Sequence, residues 1–326
     1  MAKRSRRTVA ASAAVAAGGA LAAGKVVHDL VAGRTERRRS RRFRLEPEET
    51  PHQGIDRVAR GQLGLAISLI EGQEGNGPGA IHDARKALKR ERAVLRLCRE
   101  WLGDQRFRQE NTILRDAGRS LSGARDAQVL IETLDGLPGT WSRFRDELVA
   151  EARAFEEHDG DDDSRSNVVI ALAGVRERVE LWPLPDEGGP EGLAVGLERI
   201  YAKARRAERE AAKHPNSENF HELRKRSKDV WYAAQLLGPI SPKRVRKLRR
   251  RAHRLTDVLG EDHDLAVLLE RARATPASFG GGELEELRAL AARRRRVLQR
   301  EALERAAKLY RRKPPKLVRR LKVASR

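Results

Sequence analysis

Two stretches of this sequence carry the residues best able to do chemistry. IHDARKALKRERAVLRL, from Ile81 to Leu97, and FHELRKRSKDVWYAAQLL, from Phe220 to Leu237, each place a histidine directly after a large apolar residue and then space basic residues three and four apart. On a helix advancing about 100° per residue, Arg85, Lys86, Lys89 and Arg96 fall within roughly 60° of His82. Ile81, Ala84, Leu88, Leu95, Cys98 and Leu102 fall on the other side. In the second stretch His221, Arg224, Lys225 and Lys228 share a stripe with Tyr232, against an apolar stripe of Phe220, Leu223, Val230, Ala234 and Leu237. The chemistry of such a stripe is anion binding. Arginine grips phosphate oxygens with two parallel donors, lysine acts as a point charge, and histidine adds a charge when an anion raises its pKa. Like charges three and four apart repel by a few tenths of a kcal/mol per pair, so the arrangement is tolerable when solvated and favourable when a polyanion lies along it. One such helix alone reads as a solvated face; its recurrence argues for a ligand.

The recurrence is ordered. Ile81/Phe220, His82/His221, Arg85/Arg224, Lys86/Lys225, Lys89/Lys228 and Leu97/Leu236 coincide at an offset of 139, and Leu121–Leu130 faces Leu259–Leu268 at an offset of 138. Gly54-Ile55 and Gly192-Leu193 extend the match upstream. Two blocks in the same order with nearly the same spacing indicate a duplicated helical unit, and a period this long means two similar bundles rather than a solenoid.

From Pro51 onward the apolar pattern is helical, with glycine and proline at the breaks and no alternating run long enough for a sheet. The spacing predicts helices over Gly54–Glu71, Ala80–Leu102, Gln105–Ser122, Asp126–Asp135, Thr140–Glu157 and Val168–Val179. Glu191–Lys213, Ser217–Leu237, Pro242–Leu259, Asp264–Ala274 and Glu283–Arg312 complete the set. The fold class is therefore all-α, two pseudo-symmetric helical bundles with long antiparallel helices, the first over 48–183 and the second over 184–312. Residues 1–47 form a basic Ala/Gly-rich leader without stable order, and residues 313–326 a basic tail. Glu156–Ser166, EEHDGDDDSRS, reads as a solvated linker, since its glycine and glutamates do not fit a calcium loop. Asp126 and Asp264 read as N-caps, which would stand Arg125 and His263 at helix N-termini, where backbone donors favour anions.

With 68 Lys and Arg against 47 Asp and Glu, the 326 residues carry +21. That excess speaks of partners and not of fold. Aromatics make up 4%, too few for extensive stacking on bases, and Cys98 as the only cysteine excludes an internal disulfide and a multi-cysteine zinc site. Lys3, Arg4, Arg6 and Arg7 ahead of the Val9–Gly24 run imitate a signal peptide, but Lys25, His28 and Asp29 interrupt the run before the ~20 residues of a spanning helix. Arg34–Arg44 is polybasic and suits an anionic membrane surface or a chain without fixed structure. A cytoplasmic protein is expected. Export or membrane tethering through residues 1–33 is the alternative, and whether the leader touches a membrane stays open.

The paired pattern, histidine followed by R-[+]-x-x-[+] and later by L-x-x-x-[RH]-D-x-x-V-L, resembles the CHAD family, the conserved-histidine α-helical domain, over about Glu48 to Tyr310. The resemblance implies a surface that binds inorganic polyphosphate, and with it association with polyphosphate granules; neither a cofactor nor catalysis is expected. Carried over by position, its binding residues are His82, Arg85, Lys86, Lys89 and Arg90 in the first repeat and His221, Arg224, Lys225 and Lys228 in the second. Arg115, Arg119, Arg125, Arg250, Arg254 and His263 are supporting candidates. Asp229 departs from the pattern where the first repeat has Arg90. The triphosphate-tunnel domain often attached in this family has no counterpart, because no strand bears E-x-E-x-K. Polyphosphate binding by charge neutralisation predicts an affinity that falls steeply with salt and gently as pH rises through the histidine range. A nucleic-acid binder is the alternative partner reading, through basic tails such as RRKPPKLVRRLKVASR. A phosphohydrolase built on His82-Asp83 and His263-Asp264 is the weakest, since neither dipeptide comes with a carboxylate cluster.

Overall fold

The structure is a computed structural model, and it describes residues 42–74, 78–121, 124–158, 162–187, 191–239 and 242–321. Expectations for residues 1–41 and for 322–326 lie outside that set. Contacts separate the chain up to Phe43 from a compact unit, Arg44–Arg326, and the following concerns the second. No strand occurs among the described residues.

Helix α1 (Pro51–Ile70) starts sharply. Thr50 accepts a bond from the Gln53 backbone N–H while the Gln53 side chain accepts from the Thr50 backbone, and Pro51 at the first position sacrifices no helical donor. The run α2 (Pro78–Ser120) is broken at Gly103, whose φ of 71° suits a residue without Cβ. Its two arms fold back on one another, so that Arg92 Nε donates to Asn111 Oδ1 at 3.0 Å and Arg99 stacks over Phe107 at 4.8 Å. Helices α3 (Ala124–Asp135), α4 (Ser142–His158) and α5 (Asp162–Arg178) follow, then a short 3-10 turn at Val179–Leu181. Asp162 to Ser166, expected in a linker, is helical, because the first turn of α5 tolerates acids that complement its dipole.

The second half repeats the order of helix then hairpin. It comprises α6 (Glu191–Lys213), α7 (Ser217–Leu236) and α8 (Pro242–Ala274), and α9 (Glu283–Tyr310) and α10 (Pro314–Leu321) complete it. Asn216 caps α7 by accepting from Asn219 N at 2.8 Å. Helix α8 is continuous through residues 259–264, where two helices were expected. Asp264 is therefore not an N-cap and His263 does not stand at a helix N-terminus, because Gly260 is accommodated within the helix. Part of the expected tail is also folded: α10 buries Leu317, Val318 and Leu321 and packs against α6.

The core joins elements across the expected boundary at 183/184. Leu130, Ile131, Trp141, Phe144 and Leu148 of the first half pack with Leu268, Ala272 and Leu287 of the second, and Trp141 Nε1 donates to Glu283 O at 3.2 Å. Helix α7 is pinned from behind. Ser227 Oγ and the Tyr310 hydroxyl lie 2.8 Å apart, the Tyr201 hydroxyl donates to Leu309 O at 2.9 Å, and all three residues are buried. Helix α6 lies close on α2 at Gly196, where a Cβ would stand 1.9 Å from Leu97 O. These contacts fix the two basic helices that carry the site.

Candidate functional site

The buried side of α7 includes the expected Phe220, Leu223, Val230, Ala234 and Leu237, and it also takes Tyr232, which was expected on the basic stripe. That leaves His221, Arg224, Lys225 and Lys228 on the opposite side, against α8 and α2. His221 and His263 meet Nδ1 to Nδ1 at 3.2 Å, with ring centroids 4.6 Å apart. This contact needs one Nδ1 to donate and the other to accept, so the two rings cannot both be protonated while it lasts. Burial pushes the His263 pKa down to about 4, with Arg224, His221, Lys228 and Arg295 adding to the effect. Burial, then Lys225 and Arg224, lowers His221 as well. Both histidines are neutral near pH 7 in the free protein, so His263 offers hydrogen bonds and shape there, and a charge only when an anion raises its pKa.

Lys228 is strongly perturbed. Burial, and then the charges of Arg224 and Lys89, depress it to about 7, although Asp264 and Asp257 pull the other way. Arg224 is lowered by burial, with Asp264 opposing, and its buried Nε makes no hydrogen bond. Lys89 of α2 lies near enough to act on the charge of Lys228, and these residues hold equivalent positions in the two repeats. The basic stripes of α2 and α7 thus approach each other where α2 and α7 pack. An ion pair crosses the junction, Arg96 to Asp229 at 3.3 Å. A cleft of about 960 Å³ opens between α3, α7, α8 and α9, lined by Arg224, Lys228, Trp231, Asp257 and Asp264 among others.

The other expected residues divide. His82, Arg85 and Lys86 are half-buried and Lys89 is exposed. Lys86 pairs with Asp83 at 3.2 Å, as Lys225 pairs with Glu222 at 2.8 Å, so each repeat tethers the same lysine to an acid three residues earlier. Arg90 is only 4% exposed and belongs to the packed interior rather than to the open stripe. Arg115 and Arg119 both pair with Asp116, and their charges act on Arg92. Arg125 lies in the first turn of α3 and its side chain is outside the described set. Arg250 and Arg254 are exposed on α8, three residues before His253 and one after it.

Sequence reasoning passed over Arg92. It stands one turn beyond Lys89, and burial together with Arg96 lowers its pKa to about 10. The repeat offset could have flagged it, because its equivalent is Trp231. Trp231 meets His253 edge-on at 4.5 Å, and His253 bonds Asp257 at 2.7 Å. Trp231, His253 and Asp257 occupy the positions of Arg92, Arg115 and Arg119, so the wing that is wholly cationic in the first repeat is aromatic and acidic in the second.

Among the described residues no group of three His, Cys, Asp or Glu side chains is placed to hold a metal ion, and no helix is long and apolar enough to cross a membrane. No curated protein matches the sequence. Among solved structures, the crystal structure of the CHAD domain from the plant Ricinus communis superposes with a TM-score of 0.57 at 18% identity, covering 87% of this chain and 95% of that one. At that identity the likeness concerns the fold. The sequence itself matches the CHAD domain model over residues 62–273, well over half of the 326 residues, and the chain belongs to the CHAD domain family.

Proposed function

We propose that this protein is a binding module for inorganic polyphosphate, held where the basic stripes of α2 and α7 meet, and not an enzyme. The observation that carries this reading is the position of Lys228, where burial is followed by the repulsion of Arg224 and, from the other repeat, of Lys89. A folded protein keeps such mutual repulsion when a polyanion relieves it, and a phosphate chain does so with about one negative charge per unit. Arg85 and Arg224 supply paired donors, Lys86, Lys89 and Lys225 supply point charges, and His82 and His221 flank the stripe.

The test is a titration with long-chain polyphosphate of the wild type beside the His82→Ala/Arg85→Ala and His221→Ala/Arg224→Ala variants, repeated at rising salt. Each pair should weaken binding by at least about tenfold, since two contacts to an anion are lost, and wild-type affinity should fall steeply with salt. Equal affinity in all three proteins would reject the assignment. Competition addresses nucleic acid: long polyphosphate should displace DNA, whereas displacement in the reverse direction should be poor.

A further inference from the structure

On another side of α7 lies a smaller chamber, about 310 Å³, walled by α2, α6 and α7. Arg92, Arg96 and Arg99 enter it from α2, Arg199 and Lys203 from α6, and Lys225 and Arg226 from α7; Asp229 is the only acid in its lining. Phe107 and Ile200 complete the wall. Some of this charge is neutralised in place. Arg96 and Arg226 share Asp229, Arg226 and Lys225 reach Glu222, Arg99 pairs with Asp104, and Arg199 pairs with Glu100. Seven cations therefore face four carboxylates, and two cations have no acid at ion-pair distance among the described residues. Arg92 makes its side-chain bond to Asn111, and Lys203 makes none. Lys203 instead sits among Arg226, Arg99 and Arg199, and it is burial first and then those charges that lower its pKa.

Of the residues duplicated in the two stripes, the chamber takes only Lys225, the equivalent of Lys86. The positions equivalent to Arg92, Arg96 and Arg99 are Trp231, Gln235 and Gly238, and those equivalent to Arg199 and Lys203 are Gly61 and Leu65. Arg226 is matched by Ala87, so six of its seven cations have uncharged counterparts and the cationic chamber is not duplicated. Its volume is at the lower end of small-molecule pockets, suited to a compact anion and not to the length of a long chain.

We infer that this chamber is a second, one-sided anion site that takes a compact multivalent phosphate, the shared chemistry of a polyphosphate chain end and of a free short chain such as tripolyphosphate. Only the chain-end source rests on the proposed function above. Lys203, which is exposed and makes no ion pair among the described residues, is the residue to alter.

Calorimetric titration of the full chain with tripolyphosphate should give about one site per chain, and Lys203→Glu should weaken it by at least about tenfold because one charge at close range is reversed. Lys203→Gln, which removes the charge without reversing it, should lie between, and Lys203→Arg should bind like wild type. Unchanged thermal midpoints for these variants exclude a loss of fold as the cause. Tripolyphosphate binding that is the same in Lys203→Glu and wild type overturns the inference. So does a wild type that binds long polyphosphate but not tripolyphosphate, which leaves the proposed function standing. Lys203-dependent binding of tripolyphosphate without binding of long chains does the reverse. A long chain that loses affinity for Lys203→Glu only when its ends are unblocked identifies the chain end as the source, whereas long chains indifferent to both changes identify the free short anion.

Discussion

Polyphosphate binding should carry a proton with it, and Lys228 is where that proton goes. In the free protein this ammonium is buried against Arg224 and Lys89, with Asp264 and Asp257 only partly compensating, and its pKa is about 7 against an ordinary 10.5. At pH 8 it is therefore only about one-tenth charged. A polyanion on the stripe cancels the repulsion from Arg224 and Lys89 and moves the pKa back toward its ordinary value. Between the free and the bound pKa each binding event then takes up close to one proton, and the affinity falls by about tenfold per pH unit from pH 7 upward. Lys228→Arg keeps a permanent charge at the same place, so its affinity should be nearly flat over that interval. The uptake of protons by His221 and His263 belongs to a lower window, beneath the ordinary histidine value of 6.5, because both start depressed. The assay is titration calorimetry between pH 7 and 9 in two buffers of different ionisation enthalpy, where the difference in heat counts protons. A buffer-independent heat at pH 8.5, or a Lys228→Arg variant with the slope of the wild type, would refute the reasoning. The same shift acts on stability in the free protein. The unfolded chain binds more protons than the folded one between pH 7 and 10.5, so through this group stability rises with pH across that range.

Two further predictions concern the framework. Gly196→Ala forces a methyl group onto Leu97 O, separates α6 from α2 and should destabilise the protein by at least about 1–3 kcal/mol, read by chemical denaturation; a loss under ~0.5 kcal/mol would mean that the approach of the two helices is not tight. Glu91 is fully buried, neither of its carboxyl oxygens has a hydrogen-bond partner, and burial followed by the charge of Glu110 raises its pKa from 4.5 to about 8. The folded chain then binds the extra proton, so this group costs stability as pH rises from 4.5 to 8, by up to about 1.4 kcal/mol per unit. Glu91→Gln should remove that slope and stabilise the protein at pH 8, and denaturation midpoints of both proteins at pH 5 and pH 8 decide it.

The readings that came from periodicity survive because side chains at three- and four-residue spacing must share a helix face. The apolar row of α7 was legible for that reason, and the break of α2 near Gly103 was legible from the glycine itself. The repeat was legible too, since Lys89 and Lys228 align by counting. The readings that failed depended on what a helix meets. A cap at Asp264 was plausible from residue type, but α8 runs straight through it. Arg90 looked like one more cation on the stripe, yet at 4% exposure it lies in the packed interior. Residues 314–321 read as part of a basic tail, and the buried Leu317, Val318 and Leu321 dock them on α6.

The amino-acid order by itself determined the helical class and the recurrence of the basic pattern, and it carries the expectation of an anionic partner, because all three follow from local spacing and from total charge. Only the tertiary structure decided that Lys89 comes to act on Lys228, that His221 and His263 stand neutral against each other, and that Arg199 and Lys203 of α6 join Arg92 in a chamber of their own. Those outcomes depend on the distance between helices far apart in the chain and on the water their packing excludes, and a linear spacing carries neither.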